Sequence, residues 1–99
     1  MMEVKYHPKA LAELSRSADW YDKRQPGLGN ELFQELDLAV RQITSGPERV
    51  VPDANDVRSV RLSRFPFRVW YVLDSGRIRI LAVAHAKRRP GYWQKRMSD

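Results

Sequence analysis

The 99-residue chain contains no cysteine, which excludes disulfides, thiolate nucleophiles and thiolate-held metals. Histidine is almost as scarce. His7 and His85 stand apart, with no acidic cluster beside either, so no metal site is expected. No apolar run approaches the ~18 residues needed to cross a bilayer. The opening MMEVKYHPKA lacks the apolar stretch of a secretion signal, so a cytoplasmic chain with no membrane partner is expected. A phosphate-cradling loop is also missing: Gly27-Leu28-Gly29 is too short, follows no strand and reads as a turn. Ser15, Ser17, Ser45 and Ser63 have no nearby histidine–carboxylate pattern that would activate a nucleophile. Nothing in the sequence asks for a cofactor.

What remains suits one globular domain spanning residues 1–99. The apolar fraction is 42% and the charged fraction 30%, too apolar for a disordered chain. Charge is unevenly placed. Residues 1–50 hold seven basic and eight acidic side chains; residues 51–99 hold eleven basic and four acidic. The net charge of +6 therefore comes from the second half alone, which points to an anionic partner.

Periodicity gives the elements. Glu3 to Tyr6 alternates like a short strand. Pro8 suits a first helical residue, His7 reads as a helix-entry residue, and Leu11, Leu14, Ala18 and Tyr21 then form one helical stripe to about Lys23. Pro26-Gly27 breaks it. Leu28, Leu32, Leu36, Val40 and Ile43 form a second stripe, ended by Gly46 as a left-handed cap and by Pro47. Trp20, Tyr21 and Phe33 read as core and hairpin contacts, and Glu31 and Glu35 as a solvated face. After a polar connection, period-two alternation takes over in three runs: around Val60–Leu62, Phe67–Leu73 and Ile78–His85. A short terminal helix from about Pro90 is expected. The order β-α-α-β-β-β(-α) predicts an α+β fold, a helical hairpin packed on one face of a small, mostly antiparallel sheet.

Register then places the positive charge. Four-residue turns at 63–66 and 74–77 would set Leu62 opposite Phe67, Arg61 opposite Arg68, Tyr71 opposite Ile80 and Arg68 opposite Val83. The bare face would carry Arg61, Arg68, Trp70, Leu81, Val83 and His85. Two arginines directly opposite, with Cβ atoms about 5 Å apart, repel one another, and an anion offsets that cost. They could instead splay into solvent or pair with Asp53 or Asp56. Lys87, Arg88 and Arg89 extend the basic surface, and Trp93 reads as an aromatic plug on the sheet.

Three stretches, taken together, resemble the RelE/ParE superfamily of bacterial toxins. They are Trp20-Tyr21 with Arg24-Gln25-Pro26-Gly27-Leu28-Gly29, the hairpin Val60 to Tyr71, and Ile80 to Pro90 with Trp93. The resemblance covers nearly the whole chain and implies a toxin of a type II toxin–antitoxin module, held inactive by a cognate antitoxin whose disordered segment folds around it. It implies an antitoxin seat drawn from Leu11, Leu14, Trp20, Leu32, Phe33 and Leu36. The target- or anion-binding set would be Arg61, Arg68, Lys87, Arg88 and Arg89. RelE-like members cut messenger RNA in the ribosome; ParE-like members inhibit DNA gyrase. If the chain were a nuclease, its candidate catalytic residues would be Arg61, Arg68, His85, Lys87 and Tyr92. The site tyrosine of RelE-like members falls at Trp93, which cannot exchange a proton, and one basic position falls at Ser59. That incomplete set favours the ParE-like, non-nuclease reading.

Overall fold

The computed structural model describes residues 2–89 and 91–99. Its elements are β1 (Glu3–Tyr6), α1 (Pro8–Arg24), α2 (Leu28–Ser45), β2 (Arg58–Arg61), β3 (Phe67–Asp74), β4 (Arg77–His85) and a 3-10 helix at Gln94–Ser98. The α+β fold follows the expected order, and the terminal helix starts four residues later than expected; Pro90 itself lies outside the described residues.

The helical hairpin is set by a few local contacts. His7 caps α1: its Nδ1 accepts from the Lys9 backbone N–H at 3.1 Å, and Pro8 follows as the first helical residue. Gly27 opens α2 in the left-handed region, φ 98°, which favours glycine. The Asp22 carboxylate accepts from the N–H groups of Gly27 (3.2 Å) and Gly29 (2.8 Å), placing an anion at the positive end of α2. At Gly29 the two helices approach tightly. A Cβ there would stand 2.6 Å from the carbonyl oxygen of Ala18. Gly46 does end α2, but with φ −166° rather than in the left-handed region, so extended backbone closes the helix instead.

The sheet runs β1-β4-β3-β2, with β1 parallel to β4 and the other pairs antiparallel. Val60 pairs with Val69, Arg61 with Arg68, and Leu73 with Ile78, as the turns predict. One register differs. Arg68 lies opposite Ala84, not Val83, because Trp70 pairs with Ala82 and Tyr71 with Ile80, leaving Leu81 as an extra residue. This bulge shifts the later part of β4 by one position. Val83 thus joins the core under the helices, beside Val69, Tyr71, Ile78, Ile80, Leu32 and Leu36, and is absent from the basic face. His85 shares its parity and packs against Phe67, with ring centroids 6.0 Å apart.

The second sheet face is not bare along its whole length. Val57, Val72, Leu81 and Ala82 pack with Trp93, which is 3% exposed, and with half-buried Trp70, Tyr92 and Met97. The C-terminal segment is thus a partial third layer, with Trp93 as the plug its sequence suggested. It is tied down at several points. Arg79 donates to the carbonyls of Met97 and Arg96, at 3.1 and 3.2 Å, and the His7 Nε2 meets the Asp99 carboxylate at 2.6 Å.

The strongest tie is a buried ion pair. Glu13 on α1 and Arg96 are 5% and 8% exposed, and the Arg96 guanidinium grips the Glu13 carboxylate through two bonds, 3.0 and 2.9 Å. Both partners also serve β4. Strand β1 stops pairing at Ile80, so the edge of β4 beyond it has no neighbouring strand. There Glu13 accepts from the Val83 N–H at 3.3 Å, and Arg96 donates to the Leu81 carbonyl at 2.9 Å. Two side chains complete the edge that a longer β1 would have covered.

Losing one partner of such a pair leaves a buried charge. Glu13→Ala is expected to cost about 3–5 kcal/mol, read as a lowered thermal midpoint. Glu13→Leu together with Arg96→Met should recover only part of the loss: the desolvated charges leave together, but the Val83 N–H and the Leu81 carbonyl lose their partners. The cluster also predicts an alkaline limit. Burial, and second the Glu13 charge, push the Tyr92 phenol well above its usual value near 10. A raised folded pKa adds stability that is fully present below the unfolded value and is lost as pH rises beyond it. Melting temperatures should therefore fall from about pH 10 upward, and Tyr92→Phe should flatten the decline; an identical decline in the variant would refute this role.

Candidate functional site

Two surfaces differ in chemistry. The first is the bare end of the second sheet face. Arg61 and Arg68 are direct cross-strand partners there, Arg61 exposed and Arg68 half-buried. Strand parity puts Arg68 and Trp70 on the face opposite Phe67, Val69 and Tyr71, which face the helices. The Arg68 Nη1 donates to the Ser59 hydroxyl at 3.0 Å, which steadies the guanidinium without neutralising it. Asp53 is no partner for either arginine; its carboxylate accepts from the N–H groups of Asn55 and Val57, at 2.8 and 3.0 Å. Among the described residues, no carboxylate lies within ion-pair distance of Arg61 or Arg68.

The basic tail divides at this point. Ala86 donates to the Pro66 carbonyl at 2.8 Å, which holds the start of the tail beside the β2–β3 turn. Lys87 and Arg89 follow, both exposed. Arg88 turns away from them. Its guanidinium lies 4.1 Å from the centre of the Tyr92 ring and 4.0 Å from the Glu13 carboxylate. Of the five residues expected to bind an anion, Arg61 and Arg68 are paired on the sheet, Lys87 and Arg89 are exposed in the segment that leaves it, and Arg88 belongs to the Glu13 cluster.

The candidate nuclease set is divided as well. His85 sits on the helix side with Phe67, and its Nδ1 accepts from the Lys87 backbone N–H at 3.1 Å. The Tyr92 ring meets Trp70 edge-on at 6.2 Å, but its hydroxyl is buried. Its raised pKa makes it a poor proton donor. Of Arg61, Arg68, His85, Lys87 and Tyr92, the fold gathers the cations and separates the two groups that would move protons.

The second surface is a cleft of about 430 Å³ between α1 and the end of β4. Trp20, Tyr21, Phe67 and Val83 give it apolar walls, and Arg16 and Arg88 stand among its lining residues. Trp20 is no core residue: it is 50% exposed, with the Arg24 guanidinium 3.2 Å from its ring centre. Phe33 and Leu11 are similarly exposed, at 43% and 47%. Leu14, Leu32 and Leu36 are core residues with almost no surface to offer a partner. Of the six hairpin residues expected at the antitoxin seat, only Leu11, Trp20 and Phe33 are accessible. Glu31 and Glu35 are more than a solvated face: Glu31 pairs with Arg64 at 2.7 Å, and Glu35 accepts from the Arg64 N–H at 3.1 Å.

Glu13 was missed by sequence reasoning, although a signal was present. It falls three residues after buried Ala10 and next to buried Leu14, so a carboxylate interrupts the apolar stripe of α1. Its partner Arg96 lies in a tail with no periodicity to mark it.

Residues 4–90 match the family described as ParE toxin of type II toxin-antitoxin system, parDE. No curated protein sequence matches. Among solved structures, the chain is similar to one titled "Chromosomal ParDE TA system from P. aeruginosa", with a TM-score of 0.75 and 24% identity, covering 86% of this chain and 96% of that one. The structural likeness gives the fold, and the family match over most of the chain gives the kinship: the chain belongs to the ParE toxin family of type II toxin–antitoxin systems.

Proposed function

We propose that the chain arrests growth by binding DNA gyrase, not by cutting RNA, and that its antitoxin neutralises it by occupying the α1–β4 cleft and the exposed hairpin residues. The observation that carries the first half is the division of the catalytic candidates. Attack by a 2′-hydroxyl needs a base, a phosphate-binding cation and an acid for the leaving oxygen within reach of one phosphate. Only the cations are together here. His85 is on the other side of the sheet, and the Tyr92 hydroxyl is buried. ParE-family membership supports gyrase as the target.

The second half rests on shape and charge. The cleft offers aromatic walls to an apolar anchor, and Arg16 and Arg88 attract acidic neighbours of that anchor. Glu13 is already gripped by Arg96, so Arg88, 4.0 Å away, is incompletely neutralised. An acidic segment with one bulky apolar side chain fits this arrangement.

Expression of the chain alone is expected to stop growth, induce the SOS response and impair plasmid supercoiling while leaving transcripts intact. Transcripts cut at ribosomes, with cleavage lost in Arg68→Ala, would instead establish the nuclease reading. Trp20→Ala should keep toxicity while weakening rescue by the antitoxin encoded in the same operon, about tenfold or more in affinity as for a buried aromatic anchor; unchanged rescue would place the antitoxin elsewhere.

A further inference from the structure

We infer that the bare end of the second sheet face is a clamp for the phosphate backbone of duplex DNA, the duplex that a gyrase complex would present to this chain. The inference rests on the gyrase reading only for where the DNA is met. The binding itself follows from a census of the cations.

The second half of the chain carries eleven arginines and lysines. Six have internal work. Arg58 donates to the Val50 carbonyl at 2.8 Å, Arg64 pairs with Glu31, Arg77 with Glu3, and Arg79 holds the C-terminal carbonyls. Arg88 and Arg96 share Glu13. Among the described residues, Arg61, Arg68, Lys87, Arg89 and Lys95 have no carboxylate partner. Arg61 and Arg68 pair where β2 ends and β3 begins, and Lys87 and Arg89 follow β4 out of the sheet, just after Ala86 is held to the Pro66 carbonyl. Arg61 and Arg68 stand directly opposite one another on the strand face, and neither has a carboxylate to offset their repulsion. The Ser59 hydroxyl holds Arg68 in place at 3.0 Å. Two guanidinium forks so set grip phosphate oxygens.

The surroundings select the polyanion. An acidic peptide takes much of its affinity from apolar anchors, and the apolar residues of this face are already covered: Val72, Leu81 and Ala82 lie under Trp93. The apolar cleft that suits a peptide lies on the other side of the sheet. Single-stranded nucleic acid binds by stacking bases on free aromatic rings, and among the described residues of this face none is fully exposed. Trp93 is 3% exposed, Trp70 is half-buried against Tyr92, and the Tyr92 ring is covered by Arg88. Charge without stacking rings or apolar pockets suits a duplex backbone, gripped without regard to sequence.

The test uses the full-length chain, made by cell-free synthesis, and fluorescence anisotropy with a fluorescein-labelled 24-base-pair DNA. Single-stranded DNA and RNA of the same sequence serve as competitors. With three to four phosphates engaged, log affinity should fall against log salt with a slope of about −3, a loss of roughly 60-fold between 50 and 200 mM salt. Arg61→Ala and Arg68→Ala should each reduce the slope by about one, and the single strands should bind more weakly. Arg77→Ala removes the same charge from an exposed site elsewhere and should leave the slope nearly unchanged. No duplex binding, tighter binding of RNA, or an equal effect of all three substitutions would overturn the inference. Expression of the same variants separates this result from the toxin reading. Wild type that binds duplex without arresting growth sinks the toxin reading alone; wild type that arrests growth without binding duplex sinks only the clamp.

Discussion

One carboxylate holds the layers together. Glu13 sits on the first helix, yet its oxygens are shared between the Val83 amide on the central strand and the Arg96 guanidinium in the C-terminal segment. Every one of these groups would be costly to bury alone. Together they satisfy one another, and that mutual satisfaction fixes three things. It closes the edge of β4 where β1 gives out. It locks α1 over that edge. It pins the C-terminal segment to the second sheet face, with Trp93 buried against Leu81 and Ala82. The bulge at Leu81 belongs to the same device, since it lies where the Leu81 carbonyl meets Arg96.

The separation of two binding surfaces follows from this constraint. The pinned segment covers the apolar part of the second face and leaves only its charged end, with Arg61 and Arg68. On the first face, the space between α1 and the end of β4 stays open as an apolar cleft rimmed by Arg16 and Arg88. A toxin of the ParE family needs to meet both a neutralising partner and a target. The fold offers two surfaces of different chemistry, one able to seat an apolar anchor, the other offering charge alone. The buried Tyr92 hydroxyl is a by-product of the same docking, and it deprives the charged end of a proton donor.

Much of the fold was legible because periodicity carries it. Leu32, Leu36 and Ile43 recur at helical spacing and are buried; Val69 and Tyr71 alternate with Arg68 and Trp70 and face the helices. The Arg61–Arg68 pair followed from turn length alone. The failures are equally physical. A bulge adds one residue without changing the local alternation, so Val83 and His85 were assigned to the wrong face. Helical spacing marks Trp20 and Phe33 as core and hairpin contacts, yet both remain exposed in this small domain. Coverage of the second face depended on an ion pair spanning 83 residues, and no local pattern in a polar tail announces such a partner.

The most direct test of the central claim is native-state hydrogen exchange at the Val83 amide. This N–H lies on a strand edge with no neighbouring strand, so an edge closed only by passing fluctuations would exchange quickly. If the Glu13–Arg96 pair completes the sheet, Val83 should exchange only on global unfolding, as slowly as the central amides of β3, and Glu13→Gln should make it exchange far faster than they do. Rapid exchange at Val83 in the unaltered chain, with β3 still protected, would contradict the account.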